Sequence, residues 1–221
     1  MNFEQNGFEL VPNVIAPERR DSLIAALKDW APDGPGSRDL LDAPWCQDLA
    51  GDLRGHPRLA SLLPAAATAV QCTYFHKSAS LNWLVSYHQD LAIPVRARID
   101  APSWSGWSIK QGVPFVQPPT SVLEALTAVR VHLDPNDEDN GPLRVIPGSH
   151  ACGRLDPEAI RAARADRPEF LCTAPERSAL AFRPLLLHAS SKSRTAKPRR
   201  VLHFLFGPPN LPDGLEWRLA V

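Results

Sequence analysis

The sequence predicts an α+β fold, mainly β: a double-sheet, cupin-like jelly roll with helices packed on it from the N-terminal side. Three observations predict it. The first seventy or so residues carry helical spacing. From about Ala69 the segments become short, β-branched or aromatic, and punctuated by Pro and Gly. No linker or internal repeat divides the 221 residues.

The elements follow in order. Pro17 suits a first helical position, and Glu18–Trp30 follows with Leu23, Ile24 and Leu27 on one face. Pro32-Asp33-Gly34-Pro35-Gly36 then breaks the chain, and two further helices are expected over Trp45–Leu53 and Pro57–Ala67. Strands are expected over Val70–His76, Asn82–His88, Ser121–Leu133, Arg144–Ile146, Ser178–Leu187 and Arg200–Phe206. One helix, Asp156–Ala165, interrupts them, with Asp156 as N-cap and Pro157 in its first turn. Pro94–Pro119, which holds Trp104 and Trp107, is too long for a routine hairpin and too aromatic for a linker. It reads as a mobile lid closing over a metal site, with a fixed surface loop whose tryptophans pack on the jelly roll as the alternative. The length fits one domain spanning 1–221, with helices over about 1–68 and a jelly-roll core over about 69–207.

Composition narrows the function classes. Lys+Arg and Asp+Glu are both 24, with no basic block, which argues against a nucleic-acid or membrane-surface partner. The N-terminus lacks a basic start and an apolar run, and no apolar stretch is long enough to span a bilayer, so a soluble, cytoplasmic chain is expected. Cys46, Cys72, Cys152 and Cys172 form no C-x-x-C pair and read as reduced, small buried side chains.

The chemistry is carried by His88-Gln-Asp90. Residues two apart on a strand share a face, so His88 and Asp90 can reach one cation. Completed by a second imidazole, they make a two-His-one-carboxylate triad, which leaves coordination positions open. An H-x-D alone is also a common surface strand end, and His132-Leu-Asp134 repeats the pattern just before an acidic turn that explains Asp134. Support for the first pair comes from His188, which follows three leucines, where a core histidine is the plain alternative. Eleven positions on, Arg199 opens the next strand. A metal-binding His and an Arg at the mouth of a neighbouring strand suit a dicarboxylate held at both ends.

The run Gln71…Lys77…Asn82-Trp83…His88-Gln-Asp90, then Asn140-Gly-Pro-Leu-Arg-Val-Ile-Pro-Gly-Ser-His150, then His188-x-Ser190…Arg199, resembles the phytanoyl-CoA dioxygenase family, which includes the ectoine hydroxylases. The resemblance covers roughly Val70 to Phe206 and implies a double-stranded β-helix. It implies Fe(II) held by His88, Asp90 and His188, with 2-oxoglutarate and O2 as co-substrates. It implies that Arg199 and Ser190 bind the far carboxylate, with Gln71, Lys77 and Arg130 lining the co-substrate pocket. Lys77 could equally be a surface lysine, and Arg130 a partner of the acidic turn Asp137–Asp139. The resemblance makes Asn140–His150 a structural hairpin and His150 a structural residue. Ser193 stands where many members carry Asn, which bears on contacts near the substrate.

The activity implied is oxidation of a small metabolite or natural-product intermediate, with succinate and carbon dioxide released. Asp90 favours hydroxylation over halogenation, since related halogenases need a small residue there, and leaves desaturation or ring formation open. A zinc or manganese enzyme with the same ligands is disfavoured by Arg199. A non-catalytic sensor on the same fold would be marked by a lost ligand, and none is lost. A monomer or homodimer is expected. Trp83, Tyr87, Trp104, Trp107 and Phe115 are candidates for an apolar pocket.

Overall fold

The computed structural model describes residues 2–30 and 37–221, so the expected break over Pro32–Gly36 lies outside the described residues. The chain begins with α1 (Phe3–Asn6), β1 (Phe8–Val11), α2 (Pro17–Trp30), α3 (Pro44–Gly55) and α4 (Pro57–Ala60). Strands β2 (Thr68–Lys77), β3 (Val85–His88), β4 (Ile93–Pro94), β5 (Ser105–Lys110) and β6 (Val113–Gln117) follow, then α5 (Thr120–Glu124) and β7 (Thr127–His132). The remainder is β8 (Leu143–Val145), α6 (Pro157–Asp166), β9 (Phe170–Cys172), β10 (Ala179–Phe182), β11 (His188–Ser190) and β12 (Arg199–Gly207).

Antiparallel pairing builds a five-stranded sheet, β1-β10-β7-β12-β2, and a four-stranded sheet, β3-β11-β8-β9, the two sheets of a jelly roll. A smaller sheet, β4-β6-β5, stands beside them. Helix α3 shows why the N-terminal segment folds as it does. Pro44 occupies its first turn, and Cys46, Leu49, Ala50 and Leu53 fall at i, i+3, i+4 and i+7, all buried. That stripe and Leu23 and Leu27 of α2 pack on one face of the large sheet, against Val129, Val131, Leu202 and Phe204. The opposite face of β12 presents Arg199, His203 and Leu205 to a cavity, as period-two alternation requires.

Several boundaries differ from expectation. Thr120–Glu124 is a helical turn and the strand starts only at Thr127; two prolines, Pro118 and Pro119, precede it, and Leu and Glu are good helix formers. The expected strand Ser178–Leu187 stops at Phe182. Pro184 cannot continue the ladder, and a turn closed by Leu186 N donating to the Arg183 carbonyl sends His188 to the other sheet. The helix at Pro57 ends at Ala60, four residues before Pro64.

Pro94–Pro119 contains a true hairpin: β5 and β6 pair around Gln111-Gly112, whose φ values of 50° and 78° are those of a tight two-residue type I′ turn. Asn140–His150 is not a hairpin, because β8 lies between β9 and β11. Cys152 is exposed, while the other three thiols are buried. Among the described residues no helix is long and apolar enough to cross a membrane.

Candidate metal centre and co-substrate pocket

His88 ends β3 and His188 opens β11, and the two are directly paired across the strands. Asp90 follows two residues on, its backbone N–H donating to the Pro184 carbonyl at 2.9 Å. The intervening Gln89 turns the other way. Its amide nitrogen donates to the carbonyls of Gly153 (2.8 Å) and Leu185 (2.7 Å), and its Oε1 accepts from Leu155 N (2.9 Å). Gln89 thus clamps the segment between two ligand candidates, a role invisible in the H-x-D pattern.

One ligand atom from each of His88, Asp90 and His188 lies within 4.8 Å of the others. The Nε2 atoms of His88 and His188 stand 3.7 Å from opposite oxygens of Asp90. Both Nδ1 atoms are engaged by backbone carbonyls two residues earlier, Ser86 at 2.9 Å and Leu186 at 2.8 Å. This fixes the tautomer and leaves both Nε2 lone pairs facing the centre, as a metal-binding histidine requires. The donor set therefore fits a first-row ion with open positions.

Asp90 is 38% exposed, to the cavity. Burial pushes its carboxyl up, but His188, His203, His88 and Arg130 outweigh it and hold the group below its ordinary value. Burial lowers His188 to about 4, so its imidazole is neutral and available at neutral pH. The second H-x-D goes elsewhere. Asp134 accepts from Arg200 Nε (2.8 Å) and NH2 (2.6 Å), and His132 is wholly buried.

Arg199 and Lys77 are strand partners on β12 and β2. Arg199 is 2% exposed; it donates to the Gly141 carbonyl and, at 3.4 Å, to Ser190 Oγ, while its Nε has no partner. Lys77 is fully buried and is no surface lysine. Its Nζ donates to Ser190 Oγ (2.9 Å) and to the Ser191 carbonyl (2.6 Å) and sits over Trp83. Burial, then Arg199 and Arg130, lower its ammonium to about 7.

Arg130 faces the same cavity over the Phe75 ring, its Nε unpartnered. Asp139 of the acidic turn pairs instead with Arg194 at 2.7 Å. Gln71 lines the cavity, its amide donating to Thr73 Oγ1.

Gly141 does more than turn the chain. Its φ is 72° and its carbonyl receives Arg199 and Ser190; a Cβ there would meet the Ser191 carbonyl oxygen at 2.4 Å. His203 was not singled out by the sequence, yet its Nε2 lies 3.8 Å from Asp90. The available signal was its place four residues after Arg199 on one strand, which puts it on the same face.

The cavity encloses about 560 Å³, within the usual range for small-molecule sites. Trp83 and Phe115 line it. Tyr87 instead donates to Glu169, Trp104 is buried with its indole nitrogen donating to Asp213 (2.8 Å), and Trp107 packs beneath Arg98. Ser193 and Asn82 exchange two 2.7 Å hydrogen bonds, which ties the β11–β12 connection to the segment before β3. His150 is bound to the Glu4 carbonyl (3.2 Å), a structural tie to the N-terminus.

The jelly roll, with two histidines and a carboxylate converging in its cavity, defines the class as 2-oxoglutarate-dependent non-haem iron oxygenase. Residues 3–201 match the phytanoyl-CoA dioxygenase family, and the chain belongs to that family. No curated protein matches it in sequence.

Among solved structures it is similar to the α-ketoglutarate-dependent epimerase SnoN of nogalamycin biosynthesis (13% identity, 95% of this chain and 82% of that one, TM-score 0.67). It is also similar to EctD from S. alaskensis in its apo form (16%, 93% and 74%, TM-score 0.67). A third is HygX from Streptomyces hygroscopicus with nickel and 2-oxoglutarate bound (19%, 93% and 84%, TM-score 0.63). At these identities the likeness is one of fold.

Proposed function

We propose that His88, Asp90 and His188 hold iron(II), and that the protein hydroxylates an unactivated C–H bond of a small metabolite or natural-product intermediate. The observation that carries this is the pairing of three convergent donors with a buried cationic pocket in one cavity. Iron bound there supplies the coupling of 2-oxoglutarate decarboxylation to substrate oxidation. Overall, substrate, 2-oxoglutarate and O2 give hydroxylated substrate, succinate and CO2.

Arg199 grips the far carboxylate of 2-oxoglutarate, with Ser190 and Lys77 at its side. Arg130 and Gln71 line the same cavity, Arg130 level with His203 beside Asp90 and Gln71 opposite Leu205, further along β12 from Arg199. Burial of these groups excludes water and strengthens the ion pair. The chain acts as one domain, helices over 1–68 and core over 69–207, as a monomer or homodimer in the cytoplasm, with no nucleic-acid partner.

The test is titration of anaerobic, iron-loaded protein with 2-oxoglutarate, followed by assay for succinate on admitting O2. Binding with slow uncoupled succinate release is expected. Failure of iron-loaded protein to take up 2-oxoglutarate would end this reading.

A further inference from the structure

The whole chain is electrically balanced, but its cavity is not. The lining carries Arg38, Lys77, Lys110, Arg130 and Arg199 against a single carboxylate, Asp90. Among the described residues no carboxylate lies within ion-pair distance of any of the five. Iron(II) would add two positive charges and 2-oxoglutarate would remove two. The loaded cavity therefore keeps the excess, and a low-dielectric concavity of one sign attracts the other.

Two of the cations are not used by the co-substrate. Lys110 closes β5 at the hairpin turn and Arg38 follows the segment after α2; both face the cavity. They are brought together by the backbone, because Arg38 N donates to Gln111 Oε1 at 3.0 Å, docking the hairpin tip on residues 37–39. Burial and then the Arg38 charge hold the Lys110 ammonium below its ordinary value, while Asp90 acts the other way. Two like charges held facing one space are relieved by an anion between them. Deeper in, Arg130 is 8% exposed with an unpartnered Nε, and Phe75, Phe115 and Leu205 supply apolar wall.

We propose that the substrate is anionic: a small molecule with an apolar body and a carboxylate or phosphate group seated against Lys110 and Arg38 at the cavity mouth. This rests on the oxygenase reading for what else occupies the cavity.

The test is calorimetric titration of the full-length protein, loaded anaerobically with iron(II) and 2-oxoglutarate, using phenylacetate, phenyl phosphate and neutral benzyl alcohol. At least one anion should bind with 2-oxoglutarate in place and more tightly than the alcohol, and which one does so separates carboxylate from phosphate. Its affinity should fall with added salt, fall about tenfold in Lys110→Gln, the worth of one charge-assisted contact, and fall further in Lys110→Glu. Equal binding of benzyl alcohol, no binding of either anion, binding only after 2-oxoglutarate is displaced, or indifference to both Lys110 substitutions would each overturn the proposal. If the protein takes up no 2-oxoglutarate, the oxygenase reading fails separately. The same titration on metal-free protein then decides the anion site by whether affinity is lost in the Lys110 variants.

Discussion

His88 and His188 sit directly opposite each other on neighbouring antiparallel strands, each with its Nδ1 held by a carbonyl two residues back. Because both rings are aimed by main chain rather than by flexible side chains, the donor geometry exists before any ion arrives. Orientation of this kind lowers the reorganisation that binding requires.

Arg199→Ala should weaken 2-oxoglutarate binding more than a hundredfold while iron affinity stays nearly unchanged. Removing half of a buried charge pair costs about 3–5 kcal/mol. Parallel calorimetric titrations with metal and co-substrate check it; equal loss of both would mean that Arg199 supports the fold instead.

Lys77 gives 2-oxoglutarate binding a pH dependence. Its folded value is about 7, so the ammonium is present below that pH and is lost as pH rises through it. Co-substrate affinity should fall several-fold from about pH 6 to about pH 8. Lys77→Arg, which stays charged, should flatten that profile.

His132 should make the fold acid-sensitive. Burial, then Arg130 and Arg199, hold it down at about 3, against 6.5 for an ordinary imidazole. Between those values the unfolded chain binds a proton that the fold refuses. Stability is therefore highest above pH 6.5 and falls as pH drops toward 3. The loss is on the order of a few kcal/mol. Thermal midpoints across that window should fall less steeply in His132→Leu; His188 and His203, also lowered by burial, keep some slope in place.

The β5–β6 hairpin should respond to ligands. It reaches over the cavity through Lys110, Phe115 and Gln117, while Trp104 moors its base to Asp213. Amide exchange at Ser105–Gln117 should slow when iron, 2-oxoglutarate and an anionic probe are added, with Trp104 unaffected. Equal protection in both states would make the hairpin fixed wall. Gly112→Ala, at φ 78° with open space around the new Cβ, should cost about 1 kcal/mol of stability from backbone strain alone.

The ligand candidates were legible because strand alternation and the Arg199 spacing are local patterns. Other features were not. Gln111-Gly112 is not one of the usual type I′ pairs, so the hairpin read as a long loop. The break at Pro184 lay inside an apolar run that reads equally as one continuous strand. The burial of Lys77 and the destination of Arg130 depend on which strands pair, and β2, β7 and β12 are joined by contacts remote in sequence. His203 stayed hidden because a histidine among Leu and Phe on a buried strand reads as core.

Strand β12 sends Leu202, Phe204 and Phe206 to the helices and Arg199, His203 and Leu205 to the cavity. A single-residue insertion or deletion between Arg199 and His203, left unabsorbed by a bulge such as the one beside Leu205, would reverse the facing of every residue on one side of it, setting the guanidinium and the imidazole on opposite faces. Between Arg199 and His203, where the ladder runs without a bulge, a change of length would therefore disturb fold and chemistry in one genetic event.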